Sequence, residues 1–179
     1  MKKRILIVMI ALALAAIFVS CGQAEESKNQ MLGEIPGEYK IGDTPVDFEV
    51  ELMDGEVVRL SDLQGKVVFL NFWFLDCPPC VAEMPAFQKL QEEYGDDLVV
   101  LAVNHRDRKE KIEAFIEENG YTFDIGLDPA GAIKIPVNGF PYTLILDRDG
   151  VISFIGQGAL DDAWEPMYEE YQPEIEKLV

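Results

Sequence analysis

Cys77 and Cys80 stand two residues apart, as Cys77-Pro78-Pro79-Cys80, directly after the apolar run Val67-Val68-Phe69-Leu70-Asn71-Phe72-Trp73-Phe74. Two thiols at that spacing can close a small disulfide and open it again, so this pair can store and pass two electrons. A purely structural crosslink is a poor reading, because so short a loop removes little chain entropy. A helix that begins at the pair puts Cys77 at its cap. There the partial positive charge of the unpaired N–H groups favours thiolate over thiol, which marks Cys77 as the nucleophile. Pro78 and Pro79 have no N–H to donate, so the first amide free to reach the Cys77 sulfur is that of Cys80. Cys80 lies one turn deeper and is placed to resolve a mixed disulfide formed at Cys77.

Positioning such a pair takes a strand that ends at it and a helix that starts from it. Residues Val67 to Phe74 are nearly all apolar, as in a strand covered on both faces. A helix is predicted from Pro78 to about Tyr94, ended by Gly95 and bent by the internal Pro85. Leu98 to Val103 reads as a second buried strand, which makes strand, helix and strand a parallel crossover. Asp107 and Glu110 have the spacing of a capping box opening a helix to about Asn119. Upstream, Val46 to Leu52 and Glu56 to Leu60 flank Asp54-Gly55 and predict a hairpin, with a turn over 61–66. Downstream, Tyr142 to Leu146 and Val151 to Ile155 flank Asp147-Arg148-Asp149-Gly150 and read as a closing antiparallel hairpin. Trp164, Met167, Tyr168 and Tyr171 recur at helical spacing and predict a last helix packed on the sheet.

The chain has 179 residues and is 49% hydrophobic, enough for about one ordinary domain with a real core. It opens on Met1-Lys2-Lys3-Arg4, runs apolar from Ile5 to Val19, and continues Ser20-Cys21-Gly22. A basic start, a short apolar segment and small residues read as a secretory signal, and the run is short of the about 20 residues of a membrane span. An uncleaved N-terminal anchor is the alternative. Residues 1–20 are therefore taken as signal, 21–40 as a polar, Gly/Pro-punctuated tether, and 41–179 as the folded domain. The net charge of −18 repels nucleic acid and anionic lipid headgroups, so no nucleic-acid partner is expected and a membrane is reached only through a covalent or apolar tether.

Asn71-Phe72-Trp73, Cys77-Pro78-Pro79-Cys80, Glu83-Met84-Pro85, Gly139-Phe140-Pro141 and Leu146-Asp147-Arg148-Asp149-Gly150 follow one another in an order that resembles the TlpA/ResA group of membrane-tethered thiol-disulfide oxidoreductases. The likeness spans about residues 41 to 179. The resemblance implies an α/β fold, a thioredoxin-like mixed central sheet flanked by helices, here with an N-terminal β-hairpin extension. Phe18-Val19-Ser20-Cys21 is similar to a bacterial lipobox, with Phe18 where Leu is usual, which implies lipidation of Cys21. That leaves Cys77 and Cys80 as the redox-active disulfide. With His105 they fall short of the about four ligands of a zinc site, so neither a metal nor a cofactor is expected. The resemblance also implies a buried glutamate at Glu83. A carboxyl shielded from water keeps its proton to higher pH and can exchange it with Cys80; an exposed glutamate in the first helical turn is the alternative.

The same resemblance implies a cis peptide before Pro141, which leaves the backbone of Phe140 free to pair with an extended client segment. Tyr142, where relatives often carry Thr, walls the cleft or sits in the core. Trp73 and Phe74 read as core and cleft lining, and Trp73 joins Phe140, Pro141 and Tyr142 as a candidate substrate contact. Asn71 stands where thioredoxins carry a buried Asp, which shifts proton handling toward Glu83. Asp76 stands before the nucleophile, where Trp is common, and its charge opposes the thiolate. His105 reads as a surface-loop residue. The implied function is reduction of client disulfides outside the cytoplasm by a lipid-anchored monomer, as in cytochrome c maturation, with electrons from an integral-membrane thiol protein. A disulfide-forming oxidant uses the same residues. A thiol peroxidase is disfavoured by Phe74, which occupies the place of a Thr, and a copper-binding assembly factor using His105 is the alternative of another class.

Overall fold

The computed structural model describes residues 37–136, 139–158 and 163–179. The signal, Cys21 and most of the expected tether lie outside the described residues. Along the chain run strands β1 (Glu49–Leu52), β2 (Val57–Arg59) and β3 (Val67–Trp73), helix α1 (Pro78–Tyr94), strand β4 (Leu98–Asn104), helix α2 (Lys109–Asn119), strands β5 (Asp124–Leu127), β6 (Tyr142–Leu146) and β7 (Ile152–Gln157), and helix α3 (Trp164–Glu176). Among the described residues they form one seven-stranded sheet in the order β2-β1-β5-β4-β3-β6-β7. β3 pairs parallel with β4, and β4 with β5; the remaining pairs are antiparallel. This is the expected mixed sheet with an N-terminal hairpin. No helix of the described residues is long and apolar enough to cross a membrane.

β3 is buried along its whole length, as its unbroken apolar run requires. Strand alternation sorts its side chains. Val67, Phe69 and Trp73 pack with Met84, Phe87 and Leu90 of α1, Ile112 of α2, and Met167, Tyr171 and Ile175 of α3. Val68, Leu70 and Phe72 pack on the other face with Tyr39, Leu60, Ile133 and Tyr142. Asn71 belongs by alternation to the first series, so a polar side chain enters the helix-covered layer. Phe69 anchors that layer, its ring centroid 4.8 Å from Phe87 and 5.0 Å from Tyr171. Buried aromatic pairs of this kind contribute about 0.5–1.5 kcal/mol each beyond their area. They dock α3 on α1 and so fix where Tyr171 points.

Three differences from the sequence reading have physical causes. The folded unit takes in Tyr39, inside the expected tether: it is buried at 3% exposure and its hydroxyl accepts from the Val46 N–H. The turn expected over 61–66 is a 3-10 turn at Leu60–Leu63, which ends β2 at Arg59 and buries Leu60, and β1 begins at Glu49, later than predicted. β5 was not anticipated. It is four residues long and contains Gly126, where a Cβ would come within 2.7 Å of a Val50 methyl, so the glycine lets β1 lie against it.

Candidate active site

β3 ends at Trp73, and the turn Phe74 to Asp76 delivers Cys77 to the cap of α1. The Cys77 N–H donates to the Phe74 carbonyl, and the Cys77 carbonyl accepts from Val81, at 3.2 and 3.1 Å. Cys77 and Cys80 are joined in a disulfide, with Cα atoms 5.3 Å apart. The Cys80 amide donates to the Cys77 sulfur at 3.3 Å, the contact that the two prolines leave available. Exposure is 5% for Cys77 and 0% for Cys80, so of the two residues only the cap cysteine reaches solvent.

Asp107 does not cap α2. Arg108 is the cap residue and makes no side-chain capping bond. The Asp107 carboxylate turns back instead, accepting from the Leu75 N–H at 2.7 Å and from Asn104 Nδ2 at 3.0 Å. Two donors at the end of β3 and β4 outcompete one at a helix start. The loop before Cys77 is clamped as a result.

Behind the disulfide, Glu83 is fully buried. Its Oε1 accepts from Asn71 Nδ2 at 2.9 Å and its Oε2 accepts from the Tyr171 hydroxyl at 3.1 Å. Asn71 Nδ2 also donates to Thr143 Oγ1 at 2.9 Å. Burial lifts the Glu83 pKa from 4.5 to about 8; the bonds from Tyr171 and Asn71 oppose the rise, and the Glu170 charge adds to it. The carboxyl is therefore mostly protonated at neutral pH. Burial, then the Glu83 charge, also pushes the Tyr171 phenol up, so it stays a donor. Tyr171 was missed as a functional residue. It is 88 residues from Glu83, and a tyrosine on an apolar helical stripe carries no sign of its polar partner.

Beside the pair, the Phe140–Pro141 bond is cis, and the Pro141 carbonyl accepts from Gly158. The Phe140 ring stands edge-on to Phe74, with centroids 5.3 Å apart. Two candidate contacts fall elsewhere. Trp73 is fully buried, its Nε1 donating to the Ala102 carbonyl, and Tyr142 is 3% exposed in the opposite core layer. Both faces of β3 and β6 are covered, so either side of the sheet buries the ring it receives, and neither ring lines a cleft. His105 stands in the partly exposed bend after β4, its Nδ1 2.9 Å from Asp128 Oδ2.

The model of the AhpC/TSA family matches residues 41–155. The chain belongs to that family. Thioredoxin-like protein YneN of Bacillus subtilis is 42% identical over 123 residues, 66% of this chain and 72% of that one. Thiol-disulfide oxidoreductase ResA of Oceanobacillus iheyensis is 39% identical over 129 residues, 68% of this chain and 67% of that one. Among solved structures, a protein described as the thiol:disulfide interchange protein DsbE of Chlorobium tepidum matches with a TM-score of 0.67 and 28% identity, over 77% of this chain and 99% of that one. This member of the AhpC/TSA family is thus a thiol-disulfide oxidoreductase of the ResA and DsbE type with a thioredoxin-like fold, and its clients are proteins that carry disulfides.

Proposed function

We propose that this oxidoreductase is a lipid-anchored reductase on the outer side of a bacterial membrane, with Cys77 as nucleophile, Cys80 as resolving thiol and Glu83 as proton acceptor. The observation that carries the reading is the buried Glu83 carboxyl, three residues past the inner sulfur on the same helix. The Cys77 thiolate attacks a client disulfide. A Cys77–client bond forms and the client's other sulfur leaves as a thiolate. Cys80 then gives its proton to the Glu83 carboxylate, and its thiolate attacks the Cys77 sulfur. The Cys77–Cys80 bond forms, the second client sulfur leaves, and two electrons have passed to the client. Burial lifts the Glu83 pKa to about 8, which makes its carboxylate a far stronger base toward a thiol than an exposed glutamate. Pro141 and the backbone of Phe140 would hold the client as an added strand.

Cys21 behind its apolar leader supplies the anchor, and a thiol protein in the membrane returns the dithiol to its reduced form. Clients include secreted proteins whose cysteines are needed as thiols, apocytochrome c among them. The direction is tested by titrating the Cys77–Cys80 couple against glutathione. A potential near thioredoxin's, about −270 mV, is expected; one near about −120 mV makes the protein an oxidant. Asp76, exposed beside Cys77, is one reason to expect the reducing side. Removing its charge by Asp76→Asn should make Cys77 ionise more readily, read as a shift of the iodoacetamide rate profile to lower pH. An unchanged profile would show that the sulfur does not feel this carboxylate.

A further inference from the structure

Arg106 follows β4 at the same sheet edge as the dithiol. Trp73 pairs with Asn104 and Phe72 with Tyr142, so Phe74, His105 and Pro141 each begin the chain beyond that edge. The Arg106 guanidinium lies over the Phe74 ring, 4.2 Å from its centroid, and 5.9 Å from that of Phe140. Those rings link the residue whose carbonyl holds the Cys77 amide to the residue that precedes Pro141. Arg106 is exposed and, among the described residues, makes no ion pair, whereas Arg59 is paired with Asp47 and Glu49 and Arg148 with Asp97. Its sequence neighbour Asp107 is committed to Leu75 and Asn104.

A guanidinium attracted to a ring through its positive charge makes no hydrogen bond to it. Its N–H donors remain available to an incoming acceptor, in the fork that fits a carboxylate. The chain carries 33 acidic against 15 basic residues, so an acidic client segment is repelled along most of this surface. We infer that Arg106, held over the Phe74 ring, reads a carboxylate side chain close in sequence to the client cysteine under attack. The segment that fits is an extended disulfide-bearing stretch with an Asp or Glu within about two residues of its cysteine, the reach of a strand lying along Phe140 and Pro141. The inference rests on the exchange reaction proposed above and names a feature of its substrate.

The test uses three synthetic peptides with one disulfide each, identical except for Glu, Gln or Lys two residues before one cysteine. Each is reduced by the full-length chain, whose dithiol has been reduced beforehand, and rates are normalised to reduction of the same peptide by dithiothreitol. The Glu peptide should react about fivefold faster than the Gln peptide at low salt, with the Lys peptide slowest and the spread shrinking in 0.5 M NaCl. Arg106→Gln should bring the Glu-to-Gln ratio to about one, and Arg106→Lys should leave an intermediate ratio, because an ammonium keeps the charge and loses the fork. The readout is a ratio within one protein, so partial loss of folding cancels. An undiminished preference in Arg106→Gln, or no preference in the wild type while all three peptides are reduced, overturns the inference. Reduction of none of them overturns the exchange reaction itself.

Discussion

Glu83→Gln is expected to slow disulfide exchange by about a hundredfold at pH 8 and above, and to leave only the rise with pH that the thiols give by themselves. In the wild type the carboxylate must be ionised to take the Cys80 proton, and its pKa sits at about 8. Its contribution to the rate therefore grows as pH rises through that value. At pH 6 only about one carboxyl in a hundred is ionised, so variant and wild type should converge there. The same group gives a stability signature of fixed sign. A folded-state pKa raised from 4.5 to about 8 means that the native state holds a proton the unfolded chain has released. The stability it lends is complete below pH 4.5 and drains away as pH rises to about 8. Glu83→Gln, neutral throughout, removes that slope. Relative to its own value at pH 5 it should lose several kcal/mol less stability than the wild type by pH 9, read from urea midpoints. Parallel rate profiles for the two proteins would take Glu83 out of the reaction. Parallel stability profiles would show instead that water reaches the carboxyl.

What the sequence made legible follows from which interactions are local. The apolar run at Val67, the prolines after Cys77 and the glycine after Tyr94 each act within a few residues, and β3 and α1 stand where those signals put them. Strand alternation also assigns Asn71 to the face of Phe69, the face that α1 covers. Competition between distant groups was not legible. Asp107 looks like a helix cap until the Leu75 amide, 32 residues away, is brought beside it. Trp73 and Tyr142 read as core or cleft because they adjoin Cys77 and Pro141, and the core reading holds because layers cover both faces of β3 and β6. Tyr171 reaches Glu83 only because Phe69 and Phe87 seat α3 over α1. The tetrad of Asn71, Glu83, Thr143 and Tyr171 draws on two strands and two helices. Its membership is a property of packing, and packing is what a linear pattern encodes least.

The two sulfurs should fail in different ways when removed singly. Cys77→Ser is expected to lower exchange by at least about a thousandfold, because the buried Cys80 presents no face to a client and a serine hydroxyl is no substitute for a thiolate. Cys80→Ser should keep the first step and lose the second. Cys77 still attacks, the client stays bonded to it, and one equivalent of mixed disulfide accumulates, visible by mass spectrometry as an adduct that dithiothreitol reverses. The asymmetry comes from the cap geometry. Cys77 has the outward face and receives the Cys80 amide at 3.3 Å, while Cys80 is enclosed by the layer that holds Met84 and Phe87. The Cys80→Ser change leaves that amide in place, so the Cys77 thiolate keeps its donor and its reactivity toward iodoacetamide should stay within about threefold of the wild type's. If the adduct formed instead in Cys77→Ser, the inner sulfur would be the nucleophile. The client would then have to reach the pair from the Glu83 side, and the order of steps would run in reverse.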